Sequence, residues 1–448
     1  MPSELVAREL PAWIDPAELY LSGPARSDHS FWLDAGPDAV TGWSWLGTGR
    51  AAPLARDTVV GGHAVSTAGV THPVREAGAF RGGWIGWLSY DHAARAAGAA
   101  AFDDETTAVE SGMEVDRFLA VDHAARRIWA WAPPADIDAF VAEVQEWRIP
   151  QASDAPHVSD ESRVRTAEPA VIAHGRHTPA AYAALIEACR DRIRDGDAYQ
   201  LCLTTRFTVD GPVDPVAAYL RLRAITPAHH GGLIRVGPHA LASASPEQFL
   251  ELSSGIVRTR PIKGTRPRAA LPDDDARMAA ELRESSKERA ENVMIVDLMR
   301  NDLQRVCLPG TVAAERLLEV ESYPAVHQLV STVAGRLRPG TRIGDVLSAA
   351  FPAGSMTGAP KLSAMTILHA LEGAPRGVFA GCFGWVGHDG SADLAMVIRS
   401  VVVHPGGAYV GAGGGITWRS EAPAEVSEVG IKARGPLEAL GAVLPPGW

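Results

Sequence analysis

The sequence predicts a mixed α/β (α+β) fold, strand-rich at its start and alternating between helix and strand after residue 178. Three observations predict it. Apolar runs such as Ser30–Ala35, Gly82–Asp91 and Arg126–Pro133 are short and separated by Gly, Pro and Asp, the pattern of antiparallel strands. The segment Pro179–Gly196 has helical period and ends at a glycine, and Ala198–Val209 then reads as a strand. Between these textures, residues 149–177 are polar, rich in Pro, Ser and Asp, and without period.

These boundaries divide the chain into an amino-terminal lobe, 1–150, a linker, 151–177, and a region, 178–440, that carries most of the candidate chemistry. Hydrophobic residues make up 46% of the 448, enough for a sizeable core. The net charge of -11 argues against nucleic acid or an anionic membrane surface as the partner. No apolar run approaches the ~20 residues of a membrane span, and Met1–Pro16 has no secretory h-region. Cys189, Cys202, Cys307 and Cys382 form no CxxC pair and read as buried thiols of a reducing compartment. A cytoplasmic globular protein is expected.

After the Ala198–Val209 strand, Gly231–Thr259 reads as a meander of short strands. Within it Glu247 follows a Ser-Pro turn, a position that suits a general acid, although taken singly it reads first as an ordinary surface glutamate. The next stretch, VRTRPIKGTRPR (Val257–Arg268), sets Lys263 among four arginines, and its two prolines and glycine predict a rigid turn. Lysine alone among these cations sheds its proton when its surroundings favour that. Ser285–Val306 predicts a helix, with a serine cap and no internal Pro or Gly. Glu288, Glu291, Ile295, Leu298 and Asp302 recur there at steps of three and four, so they share one face.

Ala353–Met365 (AGSMTGAPKLSAM) leads into an amphipathic helix with Pro360 in its first turn, where free N–H groups favour a bound carboxylate. Arg399 lies in the apolar, strand-like run Ala395–Val403, and a buried arginine requires a carboxylate from protein or substrate. Gly413, Gly414 and Gly415 let a ligand approach the backbone, or mark an ordinary strand bulge. Neither glycine-rich stretch has the spacing of a nucleotide loop. In the last helix Glu425, Glu428 and Lys432 stand at i, i+3 and i+7. Two helices that each present an acidic pair can converge on a hard cation such as Mg2+, although each pair alone reads equally as a solvated face.

Ten stretches now stand in order along nearly the whole chain: GGWIGWLSYD, GDAYQLCL, SPEQFL, PIKGTRPR, KERAENVMIVDLMRNDL, HQLVSTV, FPAGSMTGAPK, VIRS, GAGGGI and EVSEVGIKA. Taken together they resemble the chorismate-utilising enzymes. The resemblance implies an anthranilate-synthase-like fold, two large antiparallel β-sheets packed face to face with helices on the outside. It implies Glu291 and Glu428 as Mg2+ ligands with Glu288 and Glu425 beside them. It also implies Thr265, Thr357, Arg399, the Gly413–Gly415 backbone and Lys432 as contacts of chorismate.

Within the family, members that add water carry a lysine base where this chain has Gln200, and glutamine cannot deprotonate water. PIKGT, where anthranilate synthases usually read PIAGT, resembles the branch that aminates C4 of chorismate to 4-amino-4-deoxychorismate, the precursor of p-aminobenzoate and folate. The alternatives within the same fold are anthranilate synthase component I and 2-amino-2-deoxyisochorismate synthase. The resemblance implies that Lys263 attacks C2 and Glu247 protonates the departing C4 hydroxyl. For that, the lysine must lose its proton near neutrality, its pKa falling by roughly two or three from the ordinary ~10.4, through burial and neighbouring positive charge. Ammonia is expected from a separate glutamine amidotransferase subunit, since no cysteine stands in a nucleophile elbow. Three departures from the family pattern stand out: Gln328 replaces a histidine with His327 just upstream, Trp385 replaces a tyrosine, and FWLDAG lacks the serine of the tryptophan feedback motif.

Overall fold

The computed structural model describes residues 5–60, 77–106, 110–147, 171–323 and 326–448. Among these residues two antiparallel sheets dominate, one of twelve strands and one of ten. The twelve-stranded sheet runs, edge to edge, through Val6–Glu9, Arg127–Ala132, Phe118–Asp122, Trp43–Thr48, His29–Asp34, His230–Val236, His239–Ser245, Ser400–His404, Gly407–Ile416, Gln200–Asp210 and His174–Gly175, with Gly358–Ala359 also paired to Gln200–Asp210. The ten-stranded sheet runs through Ile262–Pro267, Val326–Arg336, Ile256–Thr259, Gln248–Ser253, Ala392–Met396, Cys382–Gly387, Gly83–Leu88, Glu110–Val115 and Arg50–Ala51, with Ala313–Ser322 added on Val326–Arg336.

Three apolar layers follow from this arrangement. Phe31, Ile234 and Leu241 of the first sheet bury against Ile85, Trp87 and Ala395 of the second, forming the middle layer. The outer face of the first sheet carries Leu201, Leu203 and Phe207 against Tyr182, Ile186 and Val429 of the helices Pro179–Arg194 and Ala422–Ala439. The outer face of the second carries Val257 and Val333 against Ile295, Met299 and Val346 of Ser286–Gln304 and Ile343–Ala350. The central strands alternate their side chains between two apolar layers, whereas edge strands such as Ala313–Ser322 and Arg50–Ala51 are largely exposed. The predicted α/β class and the paired-sheet architecture are both present.

The expected lobe and catalytic region share both sheets. His29–Asp34 pairs with His230–Val236, and Gly83–Leu88 pairs with Cys382–Gly387. Most of the expected linker, residues 151–170, lies outside the described residues. The rest, 171–177, holds two short strands, one paired to Ala442–Val443 and the other to Gln200–Asp210. The expected meander changes sheet midway: its first two strands belong to the first sheet and its last two to the second, with Pro246 and Glu247 at the crossing. No described helix is long and apolar enough to cross a membrane.

Candidate active site

Lys263 stands on a β-bulge, which corrects the expectation of a turn. Ile262 is opposite Val330 and Thr265 opposite Gln328, so one strand fits an extra residue into the ladder. Gly264 makes this possible: its φ is +80°, and a Cβ there would lie 2.7 Å from Leu282 Cδ1 and 3.0 Å from Glu288 Cδ. Behind the bulge, the fully buried Asn292 donates to the carbonyls of Pro261 (3.4 Å) and Leu329 (3.3 Å) and accepts from Ser331 Oγ (2.5 Å). The helix that carries Glu288 and Glu291 is thereby bound to the strand that carries Lys263.

The four arginines of this stretch do not crowd the lysine. Arg258 meets Glu315 at 3.1 Å, Arg260 meets Glu321, Arg266 meets Glu281 at 3.1 Å, and Arg268 meets Asp275 at 2.7 Å. Their charge is matched locally, so the expected repulsion from neighbouring cations is corrected. Glu247, Glu291, Glu428 and Cys202 are among the groups that feel the Lys263 ammonium.

Glu247, at the crossing between the sheets, is 7% exposed. Burial pushes its carboxyl up to about 7, against the opposing pull of Ser355, Lys263 and Lys432. Its Oε1 accepts from Ser355 Oγ at 2.9 Å, and its backbone carbonyl accepts from Met396 N at 3.0 Å. A surface glutamate, the simpler sequence reading, is excluded by this burial.

The first sheet supplies the opposite wall. A Cβ at Gly415 would collide with Gln200 Nε2 and stand 3.5 Å from Lys263 Nζ; one at Gly414 would stand 3.2 Å from Glu425 Oε2. At Gly413 the close neighbours are instead Leu203 and Thr204 of the adjacent strand, while its carbonyl accepts from Lys432 Nζ at 2.9 Å. Gln200 is fully buried, and among the described residues neither atom of its amide has a hydrogen-bond partner.

The two acidic helices both bear on one lysine. Glu288, Glu291, Glu425 and Glu428 all act on the Lys287 ammonium, and Lys432 Nζ lies 2.7 Å from Glu428 Oε1. Burial raises the carboxyls of Glu291 and Glu425. Desolvation works to raise Glu428, but Lys432, Lys287 and Lys263 together more than offset it, leaving that carboxyl below its ordinary value. Among the described residues no three acidic, histidine or cysteine side chains are close enough to enclose a metal unaided. The donor set still fits Mg2+, which takes oxygen ligands, uses few protein carboxylates and keeps open positions for water or substrate. Glu291 is the one of the four within ion-pair range of Lys287, at 4.0 Å, and the other three carboxylates act on it from farther away.

The remaining sequence candidates are placed less uniformly. Arg399 is not in a continuous strand: pairing stops at Met396 and resumes at Ser400, and Arg399 sits between with φ +53°. Burial lowers its pKa, Glu428 opposes this, and no side-chain hydrogen bond or ion pair of its guanidinium is found among the described residues. Thr265 is exposed, whereas Thr357 is buried with its hydroxyl turned onto carbonyls of its own turn, Ala353 at 3.3 Å and Gly358 at 3.4 Å. Pro360 immediately precedes the Lys361–Glu372 helix rather than lying within its first turn. His327 is held by Asp275 (2.9 Å) and Ser322 (2.8 Å), while the adjacent Gln328 has a buried Oε1 with no partner among the described residues. Trp385 packs against Trp45 and Phe80 in the middle layer.

Sequence reasoning passed over Asn292 and Ser355 as functional candidates. For Asn292 a signal existed: a weak helix former in mid-helix, at a position that proves buried, signals a hydrogen-bonding duty.

Residues 39–438 match the family of chorismate binding enzymes. An aminodeoxychorismate synthase of Streptomyces pristinaespiralis is 40% identical over 81% of this chain and 51% of its own length. An anthranilate synthase component 1 of Streptomyces coelicolor is 38% identical over 81% of this chain and 73% of its own. The chain thus spans about half the length of the first relative and nearly three quarters of the second. The crystal structure of anthranilate synthase component I from Streptococcus pneumoniae superposes with a TM-score of 0.72 at 26% identity, covering 98% of this chain and 93% of that one.

Proposed function

The chain belongs to the chorismate binding enzymes, and on that premise we propose that it aminates chorismate at C4, giving 4-amino-4-deoxychorismate for p-aminobenzoate and folate. One observation carries this: Lys263 is mounted on a β-bulge, and its charge acts on the buried acid Glu247. A relative named aminodeoxychorismate synthase supports the same choice.

The residues divide the work. Arg399 and Lys432 hold substrate carboxylate, beside the Gly414–Gly415 backbone, where a side chain would meet Glu425 or Gln200. Glu291 and Glu428, with Glu288 and Glu425 beside them, would hold Mg2+, which withdraws electron density from the ring through its carboxylate. The Lys263 amine forms a bond to C2 as the ring double bonds shift and the C4–O bond breaks. Glu247 gives its proton to the leaving hydroxyl, which departs as water. Ammonia then bonds to C4, the double bonds shift back and the C2–N bond breaks, returning the lysine. Glu247 regains its proton from the new C4 ammonium, and the enolpyruvyl group is untouched. The sum is chorismate plus ammonia giving aminodeoxychorismate plus water.

None of the four cysteines suits glutamine hydrolysis, because all are buried and burial raises each thiol, Cys189 to about 12 and Cys307 to about 11. On this reading ammonia is supplied by a glutamine amidotransferase partner or by free ammonium. The similarity to anthranilate synthase component 1 keeps anthranilate or 2-amino-2-deoxyisochorismate synthesis as the second reading, with Lys263 idle. Incubation with chorismate, Mg2+ and an ammonium salt, followed by aminodeoxychorismate lyase, separates them. p-Aminobenzoate is expected; anthranilate as the main product would overturn the C4 assignment.

A further inference from the structure

Ser355 is the side chain that touches the proposed acid, and the acid's chemistry requires a decision that Ser355 is placed to make. A carboxylic acid donates a proton from one oxygen only, and the other must then accept. In this structure Oε1 of Glu247 accepts the hydroxyl proton of Ser355 at 2.9 Å, and both residues are buried, 7% and 6% exposed. No second side-chain donor to Glu247 is found among the described residues, so Oε2 is the oxygen left to carry the proton.

The mount of Ser355 is as constrained as its partner. It lies in the single turn Gly354–Thr357. Gly354 seats against Leu298 so closely that a Cβ would collide with it, and Met356 O accepts from Arg376 Nη1 at 2.7 Å. Just beyond the turn, Lys361 Nζ meets Asp302 Oδ2 at 2.6 Å. Leu298 and Asp302 belong to the same helix face as Glu288 and Glu291, so the face that bears the acidic pair also fixes the turn that holds Ser355. Arg376 is itself anchored by Glu372 at 2.7 Å.

Resting on the proposed amination, we infer that Ser355 is a positioning residue: its hydroxyl holds Glu247 with Oε2 as the proton-bearing oxygen, turned to the leaving group. The charged groups that act on Glu247 from neighbouring elements are Lys263 on its bulge and Lys432 on the Ala422–Ala439 helix, and each favours the ionised acid, as the Ser355 hydrogen bond does. Loss of the serine hydroxyl therefore has two consequences. The acid loses its preferred orientation, and the pH at which it ionises rises.

The test compares the full chain with Ser355→Ala and Ser355→Thr, measuring kcat and KM for chorismate between pH 6 and 9 with Mg2+ and ammonium. Ser355→Ala is expected to lower kcat at pH 7 by roughly tenfold to 100-fold, part of the range a general acid contributes. Its KM is expected to stay within about twofold, and the alkaline limb of the profile to move to higher pH. Ser355→Thr, which keeps the hydroxyl, is expected to restore both kcat and the limb. An unmoved limb, or equal losses in Ala and Thr variants, overturns the inference. Glu247→Gln in the same assay keeps the failures apart. A fully active Glu247→Gln variant sinks the proposed mechanism itself, whereas an inactive one beside an unaffected Ser355→Ala sinks the role of Ser355 alone.

Discussion

A Cβ added at Gly415 would strike the buried amide of Gln200 and come into ordinary contact, 3.5 Å, with Lys263 Nζ, so the Gln200 side chain lies directly over Gly415. Gly415→Ala is accordingly expected to displace the Gln200 amide, beside Lys263. Since a displacement of about 1 Å in an active site costs up to roughly 100-fold in rate, kcat/KM should fall by that order while thermal stability changes little. Steady-state kinetics beside a melting curve would check this; a fully active variant would show that the contact relaxes harmlessly.

Lys263→Ala is expected to abolish C4 amination. Intact-protein mass spectra of the wild type with chorismate and no ammonia should show an adduct, and the variant should show none. An adduct that survives the substitution, or an undiminished rate, would remove the lysine from the mechanism.

The buried Glu247 gives the pH profile a definite sign. The acid acts in its protonated form, and burial sets its ionisation at about 7, so kcat should decline above that pH. Glu247→Gln keeps the shape but has no proton to give, so the rate should drop by roughly 10²–10⁴ and the decline above neutrality should disappear. A wild-type profile flat from pH 6 to 9 would contradict the assignment.

Glu291→Gln and Glu428→Gln each remove a charge from the proposed cation site. The Mg2+ concentration needed for half-maximal rate should rise at least tenfold, about 1.4 kcal/mol of binding, with smaller effects from Glu288→Gln and Glu425→Gln. Rate measured against Mg2+ concentration distinguishes these cases. Equal requirements in all four variants would argue that the carboxylates serve the fold alone.

Tryptophan at millimolar concentration is expected to leave the rate unchanged. Asp34, in the stretch that lacks the feedback serine, is already satisfied by Arg223 at 2.5 Å, Tyr219 at 3.0 Å and the backbone of Gly36 at 3.1 Å. Clear inhibition in the chorismate assay would overturn this.

Much of the fold and of the candidate site was legible because periodicity and spacing are local. The cap at Ser285 and the shared face from Glu288 to Asp302 follow from helix geometry alone, and the structure places them accordingly. Lys263 was legible as an odd residue, but its setting was not. A bulge depends on register with Val326–Arg336, a partner strand some sixty residues away, and no local pattern encodes that register. The arginines misled for a related reason: their carboxylate partners Glu281, Glu315 and Glu321 come from distant positions, and composition does not reveal pairing. Arg399 read as part of a strand because its neighbours are apolar, although a positive φ interrupts the run. Ser355 was invisible because a serine in a glycine-rich loop carries no signal until Glu247 is seen beside it.

The sharing of both sheets by the two parts of the chain bears on how the protein can be taken apart. Pairing of His29–Asp34 with His230–Val236, and of Gly83–Leu88 with Cys382–Gly387, makes each part complete the other's hydrogen-bond ladders. Residues 178–448 expressed alone would present two raw strand edges and self-associate. Two fragments, 1–147 and 171–448, produced together should instead find each other and reconstitute the whole, so the molecule lends itself to split-protein complementation.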